Sequence, residues 1–160
     1  MGVSGCGKSG AGRRLAAALG ARFCEGDALH SPESVAKMAA GAPLDDADRW
    51  PWLDRVAERL RAGPPPVVVA CSALKRAYRD RLRAGAGGDV RFLHLTGARD
   101  VIAARMAART GHYMPVSLPD SQFAALEPPE ADEAATTFDI AQPIDHLVAR
   151  MLKAIREDAR

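Results

Sequence analysis

Apolar and small residues recur at helical spacing from Lys8 to Leu19, and Gly20 supplies a stop, so the chain opens on a short loop followed by a helix. Residues 22–25 (RFCE) read as a short strand running into GDALH. Ser31 and Pro32 then mark a helix entry through VAKMAAG that Gly41 ends. Asp46 caps a helix in which Trp52, Leu53, Val56, Ala57 and Leu60 share one face, closed by Gly63 and three prolines. VVVAC is a continuous apolar, β-branched run, the pattern of a strand covered on both faces in a parallel sheet. Ser72 is expected to cap the helix ALKRAYRDRLR. Downstream, GAGG is a loop, VRFLHL a strand, RDVIAARMAAR a helix, and SQFAAL a short helix. TTFDI is a strand, and an amphipathic helix runs from Pro143 onward. Strand alternates with helix throughout, which predicts a three-layer α/β fold with a mostly parallel sheet.

The remaining features narrow the class. At 160 residues and 48% hydrophobic, the chain suits one domain spanning residues 1–160. The net charge of +2 comes from 22 basic against 20 acidic residues without blocks of one sign, so no nucleic-acid or membrane footprint is expected. Cys6, Cys24 and Cys71 form no CxxC pair, which speaks against a disulfide framework or zinc site and for a reducing, cytoplasmic setting. No run approaches the roughly 20 apolar residues of a membrane span.

Chemistry enters in the first ten residues. Gly2, Val3, Ser4, Gly5, Cys6, Gly7, Lys8 and Ser9 match GxxxxGK[ST]: glycines let successive N–H groups turn onto phosphate oxygens, Lys8 reaches the terminal phosphates and Ser9 can ligate Mg²⁺. Such a loop normally leaves a strand, yet Met1 alone stands before it. Asp27 falls at the carboxyl end of the second expected strand, where it either orients and deprotonates an acceptor hydroxyl, holds a Mg²⁺ water, or merely makes the turn. Arg49, between two acids and the pair Trp50 and Trp52, can grip a substrate carboxylate or pair with Asp45 or Asp46. Lys75 and Arg79 lie one helical turn apart and face either an anionic ligand or solvent. Arg105 and Arg109 share a helix face beside a loop of about a dozen residues, a length suited to a closing lid.

In order and spacing, MGVSGCGKSG, EGDALH, AKMAAGAPLDDADRWPWL, ACSALKRAYRDRLR, RTGHYMP and DSQFAALEPPEADE resemble the small, thermoresistant-type gluconate kinases nearly end to end. The resemblance implies a P-loop, nucleoside-kinase-like fold with a small lid at about 109–125. It also implies ATP with Mg²⁺, transfer of the γ-phosphoryl group to the 6-hydroxyl of D-gluconate, and a homodimer. By that analogy Gly2 to Ser9 hold ATP, Asp27 meets the acceptor hydroxyl or the Mg²⁺ shell, and Arg49 meets the carboxylate. Arg105, Arg109 and His112 belong to the lid, with Lys75 and Arg79 as further substrate contacts. The chain departs from the pattern at Cys6, usually Ser, at Gly10, usually Thr or Ala, and at Ser34, often Asn. Family members also carry an apolar strand directly before the loop, so the reading expects a truncated first strand and a natural start upstream of Met1. The rivals are a kinase for another small anionic metabolite, such as a shikimate-like acid, and a non-catalytic nucleotide-binding remnant.

Overall fold

The structure is a computed structural model and describes residues 1–61, 66–108 and 118–158. The expected helix stop at Gly63, the lid residues Arg109 and His112 and most of the loop beyond them lie outside the described residues. The elements follow the predicted order: α1 (Lys8–Leu19), β1 (Arg22–Glu25), a 3₁₀ turn (Gly26–Leu29), α2 (Pro32–Ala39), α3 (Asp46–Arg61), β2 (Val67–Ala70), α4 (Arg76–Ala86), β3 (Phe92–Thr96), α5 (Arg99–Ala107), α6 (Leu118–Ala125), β4 (Ala135–Asp139) and α7 (Ile144–Asp158). Ser31 caps α2, its hydroxyl oxygen accepting from the Ser34 amide at 3.2 Å. Gly20 ends α1 in the left-handed conformation that a side chain would resist.

β1 pairs with β2 and β3 with β4, both in parallel register, with Arg22 opposite Val67 and Phe92 opposite Ala135. Between the two pairs lies Met1. Its amino group donates to the Leu93 carbonyl at 2.7 Å and its own carbonyl accepts from the Leu95 amide at 2.9 Å, the bonding of a parallel strand residue opposite His94. On the other side the Gly2 amide donates to the Ser72 carbonyl at 3.1 Å. All four strands therefore point the same way, and their carboxyl ends share one edge.

Apolar side chains divide between the two faces of this array, giving three layers. On one face Leu15, Ile102, Phe138, Leu147 and Met151 form a cluster that also receives Val68 and Leu93. On the other, Trp52, Leu53, Val56, Tyr78 and Leu82 pack with Phe92 and Val69. Neighbouring residues of a strand thus enter opposite cores. Yet Val67, Val68 and Val69 are only half-buried, where a continuous apolar run predicts full cover.

One expected start is corrected. Ser72 does not cap α4: the chain passes through Ala73 at φ 44° before the helix begins at Arg76, with Lys75 in the cap position. A left-handed non-glycine residue costs about 1–3 kcal/mol and persists only when its surroundings hold it. Here the holder is Arg79, whose Nη1 donates to the carbonyls of Ala73, Leu74 and Glu127 at 3.3, 3.1 and 3.0 Å. Its Nε and Nη2 grip the Glu133 carboxylate in a fork, at 2.5 and 2.7 Å. Arg79 is 0% and Glu133 5% exposed, so water solvates neither charge and each depends on the other.

Two outcomes test these contacts. Glu133→Ala strands the Arg79 charge and is expected to lower unfolding free energy by about 3–5 kcal/mol, read from urea denaturation. His94 is buried, and burial first, then the nearby Met1 ammonium and Arg79, push its pKa down to about 4. The unfolded chain takes that proton near 6.5, so between pH 6.5 and 4 it binds more protons than the fold and stability falls on acidification. The urea midpoint of His94→Gln should drop less across that window than that of the unaltered chain.

Candidate active site

The loop Gly2–Ser9 sits at the carboxyl edge, between the ends of β2 and β3, and opens directly into α1. Gly5 and Gly7 take φ values of 83° and 93°, the left-handed turns that bring successive amides to one side. A Cβ on Gly2 would stand 2.4 Å from the Leu95 carbonyl oxygen, so only glycine lets the loop leave the sheet this tightly. Val3 and Cys6 are buried beneath the loop, while Ser4, Lys8 and Ser9 are half-buried. The Lys8 ammonium lies back across the loop on the Val3 carbonyl, at 2.9 Å.

Two observations show that this cradle fits a phosphate. The Ser4 amide already receives an oxygen, the Gln122 Oε1 from α6, at 2.5 Å. Around Gly7 the space is open, a Cβ there meeting only the Arg105 Nη1 at 3.9 Å. Arg105 reaches this point from α5, anchored by Nη2 on the Ile140 carbonyl at 2.9 Å. Arg105 thus stands beside the positive end of α1, with Lys8 folded across the same loop. Among the described residues no group of three His, Cys, Asp or Glu side chains could hold a metal by itself. A cation here would be shared between Ser9 and the phosphates, as the loop pattern implies.

Asp27 lies in the 3₁₀ turn after β1, exposed at the same edge. α3 fixes that turn. The Trp52 indole N–H donates to the Gly26 carbonyl at 2.8 Å, and Arg55 Nε donates to the Leu29 carbonyl at 2.6 Å. His30 stacks on Trp52 with ring centroids 4.4 Å apart and planes 12° from parallel. Its pKa is lowered, by burial first and then by Arg55 and Arg49 against the opposing pull of Asp27. The same imidazole therefore feels both Asp27 and Arg49. The Cys71 thiol, which burial pushes up to about 11, feels both Asp27 and Lys8.

Arg49 stands one turn ahead of Trp52 on α3, half-buried. Its Nη1 meets the Tyr78 hydroxyl at 3.3 Å, and its guanidinium lies 5.9 Å from the Tyr78 ring centroid. The Tyr78 hydroxyl donates to Asp46, on which Lys75 also closes at 2.8 Å. The Lys75 hydrogen bond, then that of Tyr78, holds the Asp46 carboxyl below the usual range, and Lys75 is raised in turn. Arg49 meets this tyrosine, and among the described residues it makes no ion pair with Asp45 or Asp46, although its charge helps to hold the Asp46 carboxyl low.

Of the candidates from sequence, the structure puts Gly2 to Ser9 and Arg105 together at the head of α1, Arg49 and Lys75 together around Tyr78 and Asp46, and Asp27 in the turn that α3 fixes. Arg79 is the correction. It was expected beside Lys75 as a substrate contact, but one helical turn carries it inward, where Glu133 and three carbonyls enclose it. Sequence reading missed Gln122 and Tyr78. Both lie inside quoted motifs, DSQFAALEPP and ALKRAYRD, but nothing in residue type or spacing marks an uncharged amide or a core-facing tyrosine as a site residue.

Comparison with known proteins identifies the family. A family model described as an AAA domain matches residues 1–128. The thermosensitive gluconokinase of Escherichia coli is 45% identical over 98% of this chain and 83% of its own length. The gluconokinase of Gluconobacter oxydans is 49% identical over 83% of this chain and 76% of its own. Among solved structures, a gluconokinase from Sinorhizobium meliloti superposes with a TM-score of 0.90 at 50% identity, covering 98% of this chain and 89% of that one. A Mycobacterium tuberculosis APS kinase, at TM-score 0.67 and 19% identity, shares the fold alone. The strands, the loop and the relatives together place the chain in the gluconokinase family of P-loop kinases.

Proposed function

We propose that the chain phosphorylates D-gluconate at its 6-hydroxyl, with ATP as donor and Mg²⁺ as counter-ion, to give 6-phospho-D-gluconate. The observation that carries this reading is the placement of Arg49. Among the described residues its guanidinium makes no ion pair with a carboxylate; the Tyr78 hydroxyl and ring hold it near the start of α3, the helix that through Trp52 and Arg55 also fixes the turn bearing Asp27. A sugar acid presents a carboxylate at one end and a primary hydroxyl at the other, and this site offers a cation for the first and a carboxylate for the second.

ATP would supply the γ-phosphoryl group, and a Mg²⁺ held at Ser9 would neutralise charge on the phosphates. The amides of Gly5 to Ser9 and Lys8 would hold the phosphates, and the Ser9 hydroxyl would hold the cation. Arg49 takes the gluconate carboxylate in a two-pronged grip, with Lys75 and its Asp46 partner bordering the same pocket. Asp27 orients the 6-hydroxyl and accepts its proton as the oxygen bonds to phosphorus and the bond to the bridging oxygen breaks. Arg105, with Arg109 and His112, closes over the transferring group and excludes water, a competing acceptor. In this reading residues 1–160 form a single kinase domain with a lid at about 109–125, working in the cytoplasm as a homodimer. Among the described residues no helix is long and apolar enough to cross a membrane.

An ADP-release assay over a panel of sugar acids tests the substrate. Gluconate-dependent turnover is expected; turnover with a shikimate-like acid instead, or ATP binding with no turnover at all, overturns the assignment. Asp27→Ala should lower kcat by about 10²- to 10⁴-fold while leaving ATP affinity nearly unchanged. Arg49→Ala should raise KM for gluconate by roughly 10- to 100-fold, the worth of a charge-assisted pair, and a shift confined to ATP affinity would contradict its role.

A further inference from the structure

The peptide unit that joins Val3 to Ser4 is held from both ends by side chains. Its carbonyl accepts from the Lys8 ammonium at 2.9 Å, and its amide donates to the Gln122 Oε1 at 2.5 Å. In a loop of this pattern the lysine is the residue that reaches the terminal phosphates, so the peptide unit on which Lys8 rests marks the end of the cradle where those phosphates come. Gln122 presents there what a phosphate would present, an oxygen that accepts from a loop amide. The contact is built into the fold, because α6 is fastened on either side of Gln122. Asp120 lies 3.8 Å from the Arg99 guanidinium, which also stands 4.7 Å from the Phe123 ring centroid. Phe123 and Leu126 pack against the apolar cluster that contains Val3 and Cys6 of the loop itself. Just beyond the helix, the Glu127 amide donates to the Leu74 carbonyl at 2.9 Å.

We propose, on the reading of this loop as a nucleotide site, that Gln122 is a specificity-determining residue for the nucleotide. Its carboxamide oxygen fills the seat of a terminal-phosphate oxygen at the Ser4 amide, so a nucleoside triphosphate binds by displacing it and a diphosphate binds without doing so. The Ser4 amide has one hydrogen to give, and a phosphate oxygen that takes it leaves Gln122 without that bond. Triphosphate affinity is therefore scaled down by the fraction of molecules in which the seat is filled, while diphosphate affinity is not. Gln122 suits this task because it is neutral: a carboxamide yields to an anion that Lys8 and the positive end of α1 attract, where a carboxylate at the same place would be attracted by them too. The contact thus narrows the preference of the loop for three phosphates over two, and it closes the terminal seat whenever no third phosphate is there.

Calorimetric titration of the full chain with a non-hydrolysable ATP analogue and, separately, with ADP, each with Mg²⁺ and without any sugar acid, tests this independently of the acceptor substrate. Gln122→Ala should tighten the triphosphate analogue by about 2- to 10-fold, the worth of one neutral hydrogen bond, and leave ADP affinity within about twofold. Gln122→Glu keeps the side chain's size and makes it a stronger, anionic acceptor, so it should weaken the triphosphate analogue at least about tenfold. This second variant decides the matter if Gln122→Ala does not fold. Unchanged affinity for the triphosphate analogue in both variants overturns the proposal, as does weaker binding in Gln122→Ala, which would make the amide a phosphate ligand. Equal tightening of both nucleotides also overturns it, since the seat would then not be the terminal one. If neither nucleotide binds the unaltered chain or the variants, the kinase reading falls and this inference with it.

Discussion

The site depends on one constraint: eight residues of loop must stay pinned at the carboxyl edge of a sheet that is in two halves. Backbone groups in that edge need partners, and Met1 and Gly2 give them to Leu93, Leu95 and Ser72 at once. The loop's position, the direction of α1 and the aim of Lys8 follow from those bonds. The same parallel alignment delivers the 3₁₀ turn bearing Asp27, since β1 runs in register with β2 and ends at the same level. The layout of the candidate site is thus a by-product of strand direction, with α5 bringing Arg105 beside Gly7 and α3 holding Arg49 against Tyr78.

Around that edge the protein uses its charges in two different ways. Arg79 and Glu133 are sealed from water and serve architecture, holding α4 and the acidic loop in contact. Arg49, Lys75 and Arg105 keep some exposure and are held by hydroxyl, carboxylate and carbonyl partners at the rim. A buried ion pair satisfies itself and offers nothing to a ligand, whereas Arg49 and Arg105, steadied by a hydroxyl and a carbonyl, retain their field; Lys75 shares its charge with Asp46.

Much of this was legible beforehand because periodicity and glycine placement are local signals. All four strands and the helices flanking them lie where the apolar spacing puts them, and the loop was visible from Gly2, Gly7, Lys8 and Ser9 alone. What failed was non-local. Ser72 has the residue type of a cap, but whether it caps depends on Arg79 drawing the carbonyls of Ala73 and Leu74 inward, toward Glu133 some fifty positions away. Lys75 and Arg79 look alike in sequence, and only the pairing of α4 with that acidic loop separates a rim cation from a core one. The VVV run read as fully covered, but Val67, Val68 and Val69 are only half-buried, because β2 is hydrogen-bonded along its length to β1 alone. Gln122 escaped notice because an amide side chain acquires meaning only through the backbone N–H it meets.

The sealed pair also shapes how this chain can change over time. Loss of either Arg79 or Glu133 leaves a stranded charge, while replacing both with apolar residues of similar volume is often neutral or stabilising for such pairs. The route between those two tolerable states crosses a destabilised intermediate. Arg79 and Glu133, 54 positions apart, therefore behave as one heritable unit, and α4 and the loop at 127–133 are bound to drift together.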